Sequence, residues 1–173
     1  MTGRQTIRMW ISAIVLFAVV TAPCFSAVDV DDTQEAFFTL RYERIIKTTI
    51  IALFTQDSIY IPITQVFSLA KINHELDNDS KTLQGVFSRR MIKYSINAAT
   101  LTAYFDGREI FLDSSDIIVR DLDWYVLPHV LQKIFGIEVK VEFKDLRITL
   151  LSKEKLPILL EREREAARQT ALA

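Results

Sequence analysis

The chain has 173 residues, with 21 basic and 22 acidic side chains and a formal net charge of −1. This balance argues against nucleic-acid binding, because that function needs a basic surface. Half of the residues are hydrophobic, and only four are glycine and four proline, so we expect a folded core without linker-like or low-complexity segments.

Residues 1–27 have the pattern of a secretory signal peptide. Arg4 and Arg8 precede a 12-residue apolar run, MWISAIVLFAVV, and small residues follow up to Ala27. A transmembrane helix needs roughly 20 apolar residues, so this run is short for a membrane span. We expect an exported, periplasmic protein with no transmembrane segment after signal removal. An uncleaved N-terminal anchor is the alternative.

Signal removal would also change the chemistry of the chain. Cleavage after Ser26 would remove Cys24, the only cysteine, and with it any disulfide or thiolate metal site. Loss of two arginines leaves 21 − 2 = 19 basic against 22 acidic residues. The remaining chain, about 145 residues, is long enough for one core or for two small ones.

A first α+β unit is predicted over residues 28–97. Its strands are expected at Phe37–Tyr42, Ile45–Phe54 and Ser58–Ile61. A helix then begins near Pro62 and buries a stripe made by Val66, Leu69 and Ala70. Lys71 stands where a glycine would end the helix best, so we expect a less regular helix end there. A hairpin follows around the turn Asp77-Asn78-Asp79-Ser80.

A second unit is predicted over residues 98–153, after a strand at Met91–Ile96. Strands at Leu101–Phe105 and Glu109–Leu112 flank Asp106-Gly107, a strong hairpin signal. The strand Trp124–Val126 leads to a helix near Pro128, which ends at Gly136. Alternating residues from Ile137 then predict a hairpin that turns at Lys144-Asp145.

The two units repeat the same apolar pattern. Tyr60 aligns with Tyr125 at an offset of 125 − 60 = 65, and apolar positions then coincide from Ile61 and Val126 onwards. The predicted fold class is α+β, with two tandem units, each an antiparallel sheet packed on one amphipathic helix. Chance similarity and a single ten-strand α+β domain are the alternatives.

Residues 154–173 predict a charged C-terminal helix or linker, and an ordinary helix docked on the core is the alternative. Pro157 opens a run of strong helix formers, in which Glu161 can pair with Arg164 and Glu165 with Arg168.

No catalytic motif stands out, and we expect a non-enzymatic protein with no cofactor and no bound metal. His74 is predicted to be a half-buried strand residue, and His129 an exposed residue in a first helical turn. Asp77-Asn78-Asp79 fits a hairpin turn better than a calcium loop, since the glycine and later glutamate of such a loop are missing.

Two surface features offer candidate sites. Trp124 and Tyr125, with Arg89 and Arg90, form a candidate partner surface, although core packing explains Trp124 better and a charged edge strand explains the arginines better. An acidic stretch is formed by Asp113, Asp116, Asp121 and Asp123. Turn residues explain it best, and glycosidase carboxylates are the competing interpretation.

The repeat resembles a known structural module. Leu122–Leu150 is similar to the copper amine oxidase N-terminal-like stalk domain of exported bacterial proteins. The residues that carry this resemblance are Tyr125-Val126, Pro128, Phe135-Gly136-Ile137, Val139, Val141 and Ile148, with Tyr60-Ile61-Pro62-Ile63 in the first copy. The chain departs from the pattern at Lys71, in the position of Pro128, and in lacking an arginine after the proline. The resemblance implies a non-catalytic module without copper.

Two such units before Leu156-Pro157 and a charged helix also resemble the N-terminal periplasmic region of large usher-like outer-membrane β-barrel proteins. This resemblance implies a binding or scaffold role in outer-membrane assembly or secretion. The expected partners are another envelope protein or a C-terminal barrel that this chain lacks. A glycan- or peptidoglycan-binding module is the alternative, and an envelope glycan hydrolase a further one.

Overall fold

The computed structural model describes residues 33–88, 90–120 and 123–172. These residues form a mixed α and β fold with two sheets and three α-helices, in which strands dominate. The predicted signal peptide, residues 1–27, lies outside the described residues.

The first sheet has seven strands in the order β11-β12-β1-β2-β3-β10-β9. They are β1 (Gln34–Tyr42), β2 (Ile46–Phe54), β3 (Ile59–Pro62), β9 (Ile117–Arg120), β10 (Asp123–Val126), β11 (Ile137–Glu142) and β12 (Arg147–Ser152). The second sheet has the order β4-β5-β6-β7-β8. Its strands are β4 (Asn73–Asp77), β5 (Thr82–Phe87), β6 (Ile92–Asn97), β7 (Thr102–Phe105) and β8 (Arg108–Phe111). The helices are α1 (Ile63–Ala70), α2 (Pro128–Phe135) and α3 (Pro157–Leu172).

Most predicted strands are confirmed within a few residues. Their side chains alternate between buried and exposed positions, which is the pattern used to predict them. In β1, Phe38, Leu40 and Tyr42 are buried while Phe37 is exposed. The predicted hairpin at Asp106-Gly107 is also confirmed, with positive φ angles of 52° and 75°, as a two-residue type I′ turn requires. The short strand β9 is an addition, since the sequence predicted an acidic turn region there.

The helices begin as predicted, but one ends differently. Pro62 is the residue before α1, and Pro128 is the first residue of α2, where a missing N–H costs nothing. Gly136 ends α2 in the left-handed region with φ 67°. Lys71 ends α1 with nearly the same geometry, φ 59°. The expectation of a less regular end at Lys71 is therefore wrong.

Strand pairing joins parts of the chain that are distant in sequence. β1 pairs with β2 in antiparallel fashion and, on its other side, with β12 in parallel. β3 pairs with β10, so the strands that precede the two helices lie side by side. Both sheets take strands from both predicted units. The structure therefore does not confirm two sequential units.

The helix and hairpin segments nevertheless keep a constant spacing. α1 starts at Ile63 and α2 at Pro128, 128 − 63 = 65 residues apart. β5 starts at Thr82 and β12 at Arg147, again 147 − 82 = 65. The hairpin after α1 joins the second sheet, whereas the hairpin after α2 joins the first. The repeated segments thus contribute to different sheets.

One core joins the two sheets and the two short helices. Its aromatic part surrounds Phe135 at the end of α2. The Phe135 ring lies 5.1 Å from Phe67 of α1, 5.1 Å from Tyr94, 5.3 Å from Phe87 and 5.4 Å from Phe105, measured between centroids. These edge-on and tilted contacts tie α1 and the second sheet to α2.

The predicted C-terminal helix is confirmed as α3. The residue before α3, Leu156, attaches the helix to the core. Its side chain is fully buried, and its N–H donates to Tyr42 Oη at 3.3 Å. Ile158 and Leu159 pack partly against the core. From Glu161 to Leu172 the described residues are exposed, so α3 leaves the core after its first turn.

Candidate functional site

The acidic stretch holds the one charged side chain that is buried among the described residues, Asp116. Its side chain is 3% exposed, and its Oδ1 lies 2.9 Å from Nε2 of His129. Its Oδ2 accepts a hydrogen bond from the N–H of Asp113 at 2.9 Å. The carbonyl of Asp116 accepts a further bond from the N–H of Leu127 at 3.1 Å. The side chain and the backbone carbonyl of Asp116 are therefore both bound to the segment that starts α2.

Tyr60 of β3 lies near enough to Asp116 for the carboxylate charge to act on its hydroxyl. The Tyr60 side chain is buried. Burial raises the pKa of its hydroxyl, and the charge of Asp116 adds to the rise. His129 keeps 54% of its side chain exposed, which confirms its predicted exposure. The arrangement is a half-exposed imidazole oriented by a buried carboxylate, whose charge also acts on a buried phenol.

Asp123 holds the start of the other short helix. Its Oδ1 accepts hydrogen bonds from Thr64 Oγ1 in the first turn of α1 and from the N–H of Trp124, the latter at 2.8 Å. Burial raises the pKa of this carboxyl, while the bonds from Thr64 and Trp124 and the nearby His74 lower it, leaving a net rise. Asp123 therefore orients α1 from a strand that is distant in sequence.

The aspartates of the predicted hydrolase site have separate roles. Asp116 orients the start of α2 and Asp123 the start of α1, whereas Asp113 is exposed. Asp121 lies outside the described residues. The structure thus gives Asp116, in the turn before β9, and Asp123, the first residue of β10, a role in holding helix starts.

The described residues of the predicted partner surface belong to two different sheets: Trp124 and Tyr125 lie in β10, and Arg90 lies between β5 and β6. Trp124 is fully buried, with its Nε1 unpaired, so its side chain presents no surface to a partner. Tyr125, the next residue of β10, points to the opposite face and is half-buried. Arg90 is exposed in the β5–β6 turn, 3.6 Å from Glu154. Arg89 lies outside the described residues.

The outer face of the first sheet, opposite the core, carries an apolar pair that the sequence analysis missed. Phe37 of β1 is 68% exposed and lies directly opposite Ile51 of β2, which is 37% exposed. On the same face, Arg41 lies opposite Lys47. The signal was present in the sequence, because the alternation that buries Phe38 must expose Phe37.

Further along this face, apolar side chains are buried. Leu53, Tyr60 and Ile118 form a second small cluster, against which Tyr125 packs. Arg120 of β9 reaches Glu35 of β1 at 3.0 Å, although β2, β3 and β10 separate those strands in the sheet order. The sheet is therefore curved over this cluster, and the apolar pair of Phe37 and Ile51 lies beside it.

The predicted turn and strand interpretations of the remaining polar candidates are confirmed. Asp77 accepts hydrogen bonds from the N–H groups of Asp79 and Ser80 and from Ser80 Oγ. These bonds, the Ser80 hydroxyl first, lower the pKa of Asp77. His74 is half-buried, with Nδ1 2.9 Å from the carbonyl of Ile72. Across the described ranges, no group of three metal-ligating side chains converges.

No protein-family model matches the chain, and comparisons with curated proteins and with solved structures found no match. Within residues 33–88, 90–120 and 123–172, no helix has both the length and the apolar character that crossing a membrane requires. The class that the structure establishes is a mixed α and β fold with two sheets.

Proposed function

We propose that this chain is an exported, non-catalytic binding and scaffold module of the bacterial cell envelope. In this proposal it forms the periplasmic N-terminal part of an outer-membrane assembly or secretion protein. Export is supported by Arg4, Arg8 and the apolar run from Met9 to Val20. The envelope role is supported by the resemblance of the repeated segments to exported stalk domains.

The observation that carries the binding role is the exposed pair of Phe37 and Ile51 on the outer face of the first sheet. Two large apolar side chains opposite each other on adjacent strands favour contact with a partner over contact with water. On the same face, Arg41 and Lys47 lie four residues further along β1 and β2, beyond the pair of Thr39 and Thr49. The surface therefore suits another envelope protein that presents an apolar side chain beside acidic groups.

The scaffold role rests on the repeated helix and hairpin segments. Each copy is one strand, an eight-residue helix and a hairpin. We interpret them as a duplicated unit whose hairpins are exchanged. The hairpin of the first copy extends the sheet that contains β7 and β8, and the hairpin of the second copy extends the sheet that contains β1 and β2. Such exchange makes one rigid body from two small units, which suits a spacer between partners. The exposed, charged part of α3 would then connect this body to a neighbouring segment.

A site-specific photo-crosslinker tests the binding role. The crosslinking amino acid is placed at Phe37 in the protein expressed with its N-terminal segment, and cell fractions are compared after irradiation. We expect a discrete adduct with one envelope protein in the periplasmic or outer-membrane fraction. Placing the same amino acid at Gln84, exposed on the outer face of the second sheet, provides the matched control.

A second variant tests the charge requirement. Arg41→Glu in the Phe37 crosslinking protein should reduce the yield of the adduct several-fold, because a like charge would face the acidic partner. The proposal fails if Phe37 and Gln84 give the same pattern, or if the Phe37 adduct forms only in the cytoplasm.

A further inference from the structure

The strand β11 is an open edge of the first sheet. Among the described residues it pairs with β12 alone. The side chains of its six residues point alternately to the two faces of the sheet. Ile137, Val139 and Val141 face the core, and the last two are only half-buried. Glu138, Lys140 and Glu142 face outward. The edge therefore offers both unpaired backbone groups and partly exposed apolar side chains.

The outward row has two charges available for an external partner. Glu142 is already bound to Arg147 of β12, with its Oε2 3.1 Å from Nη1. Glu138 and Lys140 lie 3.9 Å apart on the same strand, with 52% and 59% of their side chains exposed. A contact at that distance between exposed groups contributes little, so both side chains are free to face opposite charges elsewhere.

We propose that β11 pairs with β11 of a second copy of this chain, antiparallel and centred on Val139. In that register Glu138 lies opposite Lys140 of the other copy, and two-fold symmetry makes this pair twice. Ile137 lies opposite Val141 of the other copy, and the two Val139 side chains face each other. The charged row is thus self-complementary, and the half-buried valines are covered. Such pairing makes one continuous sheet across two copies.

The other open edges do not have this property. In β4 the outward row is Asn73, Glu75 and Asp77, which would place acidic groups together in a second copy. In β8 the carbonyl of Phe111 already accepts a hydrogen bond from Lys133 Nζ at 2.7 Å. In β9 the charged residue Arg120 has no acidic residue on its own strand to face.

Charge reversal tests the pairing through the mass of the purified protein, measured by sedimentation equilibrium over micromolar concentrations. The unaltered protein should give a monomer–dimer equilibrium. Lys140→Glu should shift it to monomer, with at least a tenfold weaker association. The double variant Glu138→Lys with Lys140→Glu should restore the dimer, because the complementary pairs are re-formed with reversed sign. Lys93→Glu makes the same charge change at an exposed position of β6 in the second sheet and should leave the dimer unchanged.

A cysteine crosslink tests the register independently. Opposite residues in antiparallel strands have Cα atoms about 4.5–5.5 Å apart, which is within disulfide range. V139C should form an intermolecular disulfide under mild oxidation, whereas K140C should form far less. A protein that stays monomeric, a dimer unaffected by Lys140→Glu, or an unrestored double variant with native circular dichroism would each overturn the proposal. Pairing through β11 is independent of what binds the outer face of the first sheet.

Discussion

Asp116 and Asp123 lie in one acidic stretch but hold different helices. Asp116 reaches His129 at the start of α2, and Asp123 reaches Thr64 at the start of α1. Both helices are only eight residues long, and such helices depend on tertiary contacts because they are marginal alone. The two aspartates therefore help to fix the starts of α2 and α1.

The raised pKa of Asp123 predicts a specific pH dependence of stability. Burial favours the protonated carboxyl in the folded protein. The contribution of this group is thus fully present below the unfolded pKa, about 3.9, and is lost as pH rises through the folded value. Asp123→Asn keeps an oxygen that accepts from Thr64 and Trp124 but does not titrate. Its free energy of unfolding, relative to the unaltered protein, should increase between about pH 3 and pH 7.

Urea denaturation at several pH values measures this difference. Thr64→Val serves as the companion variant, because it removes the hydroxyl bond that lowers the pKa of Asp123. That variant should lose stability more steeply with rising pH than the unaltered protein. A difference between Asp123→Asn and the unaltered protein that stays constant with pH would contradict the prediction.

Single-residue environments were predictable from the sequence only where a local pattern set them. The half-buried state of His74 follows from strand alternation. Burial of Trp124 confirms the core-packing interpretation, and the same alternation in β10 places Tyr125 on the opposite face. The pairing of Asp116 with His129 had no such signal, because it depends on how the turn before β9 packs against α2.

The ends of the two short helices form a natural matched pair. Lys71 and Gly136 both take the left-handed conformation after their helices, with φ 59° and 67°. That conformation costs a non-glycine residue about 1 kcal/mol or somewhat more. Both helices thus end in a left-handed residue, which is favourable for Gly136 and unfavourable for Lys71.

Reciprocal exchange should reveal this cost. Lys71→Gly should raise the free energy of unfolding by about 1 kcal/mol, and Gly136→Lys should lower it by about as much. An added Cβ at Gly136 meets no atom within 4 Å, so the second effect is a backbone effect. Urea midpoints give both values.

Lys71→Ala is the control, because it keeps the backbone restriction and removes only the long side chain. It should change stability far less than Lys71→Gly does. Equal gains from the alanine and glycine variants would show that the lysine side chain, and not its φ angle, is unfavourable.

Secondary-structure elements were easier to predict than their arrangement. Proline before an apolar stripe located α1 and α2, and Asp106-Gly107 located a hairpin. The strand β9 was missed because its four residues, IIVR, show no alternation and lie among aspartates. The parallel pairing of β1 with β12 could not be predicted, since no local pattern specifies which distant strand covers an edge.

At the scale of the whole molecule, the two halves of the chain complete each other. The first sheet needs β12 beside β1 and β10 beside β3. The second sheet needs β7 beside β6. One core includes residues of both halves, such as Phe67 and Phe135. The molecule should therefore unfold as one cooperative unit.

Separating the predicted units tests this cooperativity. Residues 28–97 and residues 98–173 are expressed as separate fragments, and each is unfolded in urea while near-ultraviolet circular dichroism is recorded. Neither fragment should show a cooperative transition alone, because each lacks the strands and the aromatic partners that the other supplies. An equimolar mixture should recover part of the native signal, and the whole chain should give a single transition.

A cooperative transition in the isolated 28–97 fragment would contradict this prediction. It would favour the two independent units that the sequence pattern indicated. The mixture serves as the control for fragment quality. A fragment that is unfolded only because it lacks its partner strands regains structure when the other fragment is added, whereas an aggregated or degraded fragment does not.

The parallel pairing of β1 with β12 sets the order of events during synthesis. Tyr42 meets Leu150, which the ribosome adds 150 − 42 = 108 residues later. Until then, one edge of β1 has no neighbour and can pair with strands of other nascent chains. Contacts that span so much of the chain also slow folding. The first sheet can therefore close only after residue 150 has been synthesised, so the free edge of β1 needs protection until then.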